Sequence, residues 1–213
     1  MSILNHVGPW TEAEYLTLGA ASNHVELVNG DLLIGALPRP WEHDLARSIA
    51  DQLAPGAREA ELVVGERVTL RLTPQRIVVA DLVVRRPPAD STGEEAADSD
   101  DVADPARDVV DVSDVVLVAE ILAAQTRLID TVTKDHLYAK AGIRWYLLAD
   151  PDPAGLVTLR WRRLEDGRYV DGAVAGPGTS LTLSEPFRAD LRIDTAPARS
   201  IRNVARTAPG RTR

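Results

Sequence analysis

A mixed-sheet α/β domain, or the related α+β arrangement, is what this chain of 213 residues predicts. Two apolar runs rich in β-branched residues, Ile77-Val78-Val79-Ala80-Asp81-Leu82-Val83-Val84 and Val115-Val116-Leu117-Val118-Ala119-Glu120-Ile121-Leu122, read as central strands covered on both faces. Helical periodicity precedes the first run and follows the second, and the later part of the chain breaks into short alternating runs. The arrangement expected is a central mixed β-sheet flanked by helices, with an N-terminal β-hairpin and a C-terminal antiparallel meander.

Thr11-Glu12-Ala13-Glu14 has the form of a capping box, so a short helix begins there and reaches about Leu18. Residues 25–28 and 32–36 flank Asn29-Gly30, the dipeptide that tight hairpin turns favour, and Pro38 and Pro40 close this hairpin. A second helix covers residues 41–53. Leu45, Ile49 and Leu53 recur at steps of four, Arg47 and Asp51 fall off that line, and Pro55-Gly56 is expected to end it. Residues 62–72 and 77–84 form paired strands around Thr73-Pro74-Gln75; Val68, Leu70 and Leu72 alternate with polar residues, so the first is covered on one face. After the second central strand, a helix spans about residues 131–141, with Asp130 as its cap and Gly142 closing it. Residues 143–149, 156–164 and 168–174 complete the sheet, and residues 180–183 add a short strand.

The formal charge of -8 is concentrated in one place. Residues 90–114 hold ten acids against the single base Arg107, which leaves the remainder close to neutral. Residues 87–113 are poor in bulky apolar side chains and read as a disordered acidic loop within a single domain, residues 1–195. Residues 196–213 read as a basic flexible tail, carrying Arg199, Arg202, Arg206, Arg211 and Arg213 with no acid after Asp194. A near-neutral body does not argue against a polyanionic partner. The absence of cysteine excludes disulfides and thiolate metal sites. The start lacks the basic-then-apolar pattern of a secretory signal, and no run reaches the roughly 18 apolar residues of a membrane span, so a cytoplasmic protein is expected. No Gly-x-Ser-x-Gly, phosphate loop or dinucleotide fingerprint occurs.

The candidate chemistry lies in the two central strands. Asp81 and Glu120 are lone acids inside apolar runs. Burying an isolated carboxylate costs several kcal/mol or forces it to keep its proton, a difficulty that disappears if the two acids share a cation. Lys134, one of only two lysines, falls on one helical stripe with Leu137, Tyr138 and Ala141, whereas Lys140 lies off it. That spacing suits either a lysine turned inward or one that covers apolar surface and reaches water. Two acids holding Mg²⁺, with Mn²⁺ as a substitute, beside a lysine suit phosphodiester hydrolysis: the metal activates a water, and the lysine orients it or meets the developing charge. On that reading Lys134→Met abolishes cleavage and leaves the fold nearly intact. His24 and His136 show no spacing that pairs them as ligands, and Trp145 and Tyr146 read as core.

Five short pieces in order carry a resemblance: Glu26-Leu27-Val28-Asn29-Gly30-Asp31-Leu32, Pro40-Trp41-Glu42-His43, Val79-Ala80-Asp81-Leu82-Val83-Val84, Val118-Ala119-Glu120-Ile121-Leu122, and Thr126 through Asp130 with Lys134 and Tyr138 to Ala141-Gly142-Ile143-Arg144-Trp145-Tyr146. Over roughly residues 10–170 the chain resembles the Uma-two family of restriction-endonuclease-like proteins, within the PD-(D/E)xK nuclease-like superfamily. The resemblance implies a restriction-endonuclease-like core, a Mg²⁺-dependent endonuclease activity and DNA as partner. It implies Asp81 and Glu120 as metal ligands, Lys134 as the catalytic lysine carried on the following helix, and Glu26 and His43 as additional site residues. Leu122 occupies the position where the superfamily name expects lysine, Ala80 stands where the family has proline, and Ala123-Ala124 where it has a serine-led turn. Two rivals remain at this stage. One is a catalytically silent nuclease fold that acts as a binding or scaffold module, with a homodimer compatible with the sequence. The other is a small-nucleotide phosphoesterase, which a closed pocket would favour.

Overall fold

The computed structural model describes residues 6–18, 25–88 and 109–196. The chain runs through α1 (Glu12–Leu16), β1 (Val25–Val28), β2 (Asp31–Ile34), α2 (Pro40–Glu59), β3 (Val63–Thr73), β4 (Arg76–Arg85), β5 (Val109–Asp111), a 3₁₀ turn (Val112–Asp114), β6 (Val115–Ile121), a π-helical turn (Ile129–Lys134), α3 (Asp135–Lys140), β7 (Trp145–Pro151), β8 (Val157–Glu165), β9 (Arg168–Ala175), β10 (Leu181–Leu183) and β11 (Ala189–Leu191). Nine strands form one mixed sheet in the order β2-β1-β4-β6-β7-β8-β9, with β3 paired to β4 and β5 paired to β3; β10 and β11 form a separate hairpin. The pairs β6–β7 and β3–β5 are parallel and the other pairs antiparallel. This is the mixed sheet the sequence predicts, with the hairpin at one end and the meander β7-β8-β9 at the other.

Local chemistry accounts for the element ends. Thr11 and Glu14 close the expected capping box on α1. Asn29 and Gly30 both take positive φ, which a two-residue turn of this hand requires. Gly142 has φ +79°; its N–H bonds to Ala139 O and that of Ile143 to Tyr138 O, so α3 ends in a Schellman closure. The parallel crossover from β6 to β7 is therefore made by the turn and helix that carry Lys134.

The sheet separates two cores. On one face, Trp41, Leu45, Ile49 and Leu53 of α2 pack over Leu82, Val84, Leu117, Ala119, Leu147 and the β10–β11 hairpin. On the other, Leu137 and Tyr138 of α3 pack against Val83, Val118, Tyr146 and Leu148. Each large apolar side chain so buried contributes about 1.5–3 kcal/mol, which is what holds both helices to the sheet. Among the described residues no helix is long and apolar enough to cross a membrane.

The structure corrects several expectations. Helix α2 continues through Pro55 and Gly56 to Glu59. Gly56 serves close packing: a Cβ there would lie 1.8 Å from the carbonyl oxygen of Arg188, so the C-terminal segment reaches the helix only because that side chain is missing. The acidic loop does not extend to residue 113. Val109 and Val110 pair in parallel with Thr69 and Leu70, and Val110 packs on the α3-side core, so the apolar pair captures the end of the segment for the sheet edge. Residues 89–108, His24 and the basic tail from residue 197 lie outside the described residues. Asp130 does not cap a helix; it lies inside the π-helical turn and is buried.

Candidate active site

The site is a fork in the sheet at β4. β3 follows one edge of β4 along its length. The opposite edge is shared: β1 takes Ile77 and Arg76, and β6 takes residues from Leu82 onward. Between these contacts, residues 78–81 of β4 lack a neighbouring strand on that edge. Their polar backbone groups must still be satisfied, and side chains do it. Val79 N–H donates to Glu26 Oε1 at 3.1 Å, Asp81 N–H to Glu120 Oε2 at 3.4 Å, and Ile121 N–H, from across the gap, to Asp81 Oδ2 at 2.8 Å. The three acids are thus placed by the hydrogen bonds the parted strands no longer make to each other.

Lys134 enters the gap from the other side. Its ammonium donates to Val79 O at 2.7 Å and to Glu120 Oε1 at 3.1 Å, and lies 3.3 Å from Glu26 Oε1 and 3.5 Å from Asp130 Oδ1. Tyr138, one turn further along, donates its hydroxyl to Glu120 Oε1 at 2.6 Å. Tyr146 secures the turn by donating to Asp130 O at 2.8 Å. Glu120 is 1% exposed, Asp130 3% and Lys134 7%, whereas Asp81, Glu26 and Glu42 are half-buried, so the site is a dry floor beneath a wetter mouth.

The electrostatics follow from that gradient. Burial holds the Glu120 carboxyl well above the usual range; Lys134 and the Tyr138 hydrogen bond pull it down, while Asp81 and Asp130 push it up again. Asp130 is raised by burial against the opposing pull of Lys134, and Glu42 is raised by burial with smaller contributions from Asp81 and Asp130. Burial works against the charge on Lys134, but Glu120, Glu26, Asp130 and Asp81 overcome it and keep the ammonium protonated well beyond its ordinary range. Burial and Glu120 keep Tyr138 a phenol, and hence a donor.

Of the residues expected from the sequence, Asp81, Glu120, Lys134 and Glu26 line one cleft. His43 does not: it is exposed, because two residues along α2 turn it about 200° from Trp41, which faces the sheet. Its neighbour Glu42 lines the cleft instead, with Asp130 and Arg67. Asp130, Lys134 and Tyr138 are spaced by four, a signal that would have put Asp130 on the lysine's stripe; nothing in the sequence marks Glu42 or Arg67. The missing serine after β6 is not needed for the turn, since Thr126 and Arg127 N–H both bond to Ala123 O.

A divalent metal fits the donors present. With Asp81 Oδ2 bonded to Ile121 and Glu120 Oε1 to Lys134 and Tyr138, Asp81 Oδ1 and Glu120 Oε2 remain for a cation on adjacent strands, Oε2 carrying only the long 3.4 Å bond from Asp81 N–H. Among the described residues no group of three acid or histidine side chains is arranged to cage a metal by itself. Two hard oxygens with the remaining positions left to water or substrate is the manner in which Mg²⁺ is commonly held.

A family model named Uma2 and described as "Putative restriction endonuclease" matches residues 12–196. No curated protein matches the chain. Among solved structures, a crystal structure from Anabaena variabilis ATCC 29413, described as "a putative nuclease belonging to DUF820", is 18% identical, with 84% of this chain and 90% of that chain covered at a TM-score of 0.55. At that identity the likeness concerns the fold, and it agrees with the mixed sheet and flanking helices seen here. The family match spans nearly all of the described structure, and the chain belongs to the Uma2 family.

Proposed function

We propose that this protein is a Mg²⁺-dependent nuclease that hydrolyses DNA phosphodiester bonds. The observation that carries the reading is the convergence of Asp81, Glu120 and Lys134 on one cleft at the fork of the sheet. A silent scaffold has no need to maintain buried acids around a buried lysine, since apolar residues of similar volume are generally no less stable in such places. The family description and the nuclease description of the solved relative support the same reading.

Asp81 Oδ1 and Glu120 Oε2 would hold the metal. Bound there, it would supply an activated water and neutralise charge on the phosphate. Tyr138 and Lys134 both hold Glu120 Oε1, which fixes the carboxylate and turns Oε2 toward Asp81. Lys134 remains a cation throughout, so it acts as a donor and never as a base. Its longest contact, 3.5 Å to Asp130, is the one a water or phosphoryl oxygen can replace. Mn²⁺ meets the same oxygen donors and is expected to substitute.

The test is cleavage of a panel of duplex DNA, single-stranded DNA and RNA in Mg²⁺, with chelator and Asp81→Ala as controls. Cleavage of DNA that both controls abolish is the expected result. Wild-type inactivity across the panel would leave the scaffold reading in its place, and preference for free nucleotides would favour a small-molecule phosphoesterase.

A further inference from the structure

The cleft is crowded with acids and short of bases. Glu26, Glu42, Asp81, Glu120 and Asp130 line it, and its cationic lining residues are Lys134 and Arg67. A phosphodiester entering this field needs a protein cation to grip it. Lys134 has little to offer: an ammonium has three protons, and Val79 O, Glu120 Oε1 and Glu26 Oε1 lie at 2.7, 3.1 and 3.3 Å. At most it releases its contact with Asp130.

Arg67, the other cation of the lining, has partners of its own and is distinguished by its backbone. It lies inside β3 with φ +51°. The other non-glycine residues with positive φ among those described, Asn29, Glu61 and Asp166, lie in turns. The pairs Glu66↔Leu82 and Val68↔Ala80 put Arg67 opposite Asp81 across the β3–β4 ladder. Both strands change face at this level: Val64 of β3 and Leu82 and Val84 of β4 pack on the α2-side core, whereas Val68 and Leu70 of β3 and Val78 and Ala80 of β4 pack on the α3-side core. In a regular strand, residues two or four apart share a face. Where the faces change, Arg67 lies on the cleft wall, half-buried, beside the carboxylate expected to hold metal. Glycine would adopt this backbone without strain, yet the position carries the bulkiest cation. Unfavourable backbone kept together with a charged side chain at a cleft marks a functional position.

We propose that Arg67 is the phosphate-contacting residue of this site, its guanidinium receiving the backbone of the nucleic acid at the mouth of the cleft. The proposal rests on the nuclease reading and adds the residue that binds the substrate. A planar guanidinium fork suits two non-bridging oxygens of one phosphate.

The test compares full-length wild type, Arg67→Gly and Arg67→Lys by fluorescence anisotropy of a labelled DNA duplex across a salt series, with Ca²⁺ supplying a divalent ion for the same oxygen ligands. Because glycine takes φ +51° freely, Arg67→Gly keeps the fold, and its Tm verifies this. Expected is roughly tenfold weaker binding by Arg67→Gly at low salt, the same for every duplex sequence. Its log–log salt slope is expected to be shallower by about 0.9, with Arg67→Lys retaining the wild-type slope. Wild-type affinity and slope in Arg67→Gly overturn the proposal. Wild-type cleavage of the same duplex in Mg²⁺ scores the nuclease reading separately. If wild type binds no duplex, calorimetry with inorganic pyrophosphate decides. Binding lost in Arg67→Gly keeps the anion site without the nuclease reading, whereas equal binding in both proteins, or none in wild type, overturns it.

Discussion

Replacing Lys134 by methionine tests the electrostatic construction of the site. Lys134 is the cation among Glu120, Asp130 and Glu26, and the first two are almost wholly buried. Methionine matches the stem but leaves these carboxylates without a counter-charge. Removing one partner of a buried pair costs about 3–5 kcal/mol, so the structure revises the sequence-based expectation that the variant's fold is nearly undisturbed. At about 2–4 °C per kcal/mol for a domain of this size, Tm should fall by roughly 6–20 °C. The penalty depends on pH with a definite sign. Glu120 already titrates well above its ordinary value through burial, and losing Lys134 raises it further. The folded state then holds a proton that the unfolded chain has released, so stability declines as pH rises above the ordinary glutamate value of about 4.5, continuing until the raised folded value is passed. Thermal unfolding of wild type, Lys134→Met, Glu120→Gln and the double variant, followed by circular dichroism near pH 5 and pH 8, measures this. The Lys134→Met deficit should be larger at the higher pH, and the double variant should recover much of it. Cleavage by Lys134→Met should fall about 10²- to 10³-fold even where the protein is folded. A Tm equal to wild type at both pH values would refute the reasoning, because it would mean Lys134 does not neutralise the buried acids.

Asp81→Asn and Glu120→Gln should each weaken Mn²⁺ binding by calorimetry at least about tenfold, since even a residue that only supports a ligand is worth that much; two variants that bind as wild type place the metal elsewhere. Tyr138→Phe leaves Glu120 Oε1 with Lys134 as its side-chain donor, and should lower stability by about 1.5–3 kcal/mol in chemical denaturation, the range for a hydrogen bond to a charged group. Gly56→Ala should destabilise by about 1–3 kcal/mol or more, because its Cβ meets Arg188 O at 1.8 Å, and an unchanged Tm would show that the C-terminal segment does not press on α2. Residues 89–108 should be replaceable by a short Gly/Ser linker with little change in Tm, given their acidic, apolar-poor composition; extending the deletion through Val110 should cost stability, because Val109 and Val110 pair with β3.

Much of this molecule is legible in the chain because its signals are local. A capping box, an Asn-Gly turn, the four-residue recurrence of Leu45, Ile49 and Leu53, and the long apolar runs of β4 and β6 each act through neighbours a few residues away. Lone acids in buried strands are legible for the same reason: Asp81 and Glu120 violate the pattern around them, and Lys134 shares its stripe with core residues. The fork of the sheet was not legible. It exists because β1 and β6 compete for one edge of β4 and neither covers residues 78–81, a fact of strand register between segments far apart in sequence. The fork leaves backbone groups without a strand partner, and bonding to those groups decides where Glu26, Asp81 and Glu120 point. Gly56 reads as a helix stop until Arg188 is brought against it. Asp130 reads as a cap until a π-helical turn carries it inward, and Glu42 displaces His43 because only packing fixes which side of α2 meets the cleft. Arg67 carries no signal in sequence, since neither its left-handed backbone within β3 nor its place on the cleft wall opposite Asp81 shows until β3 is registered on β4.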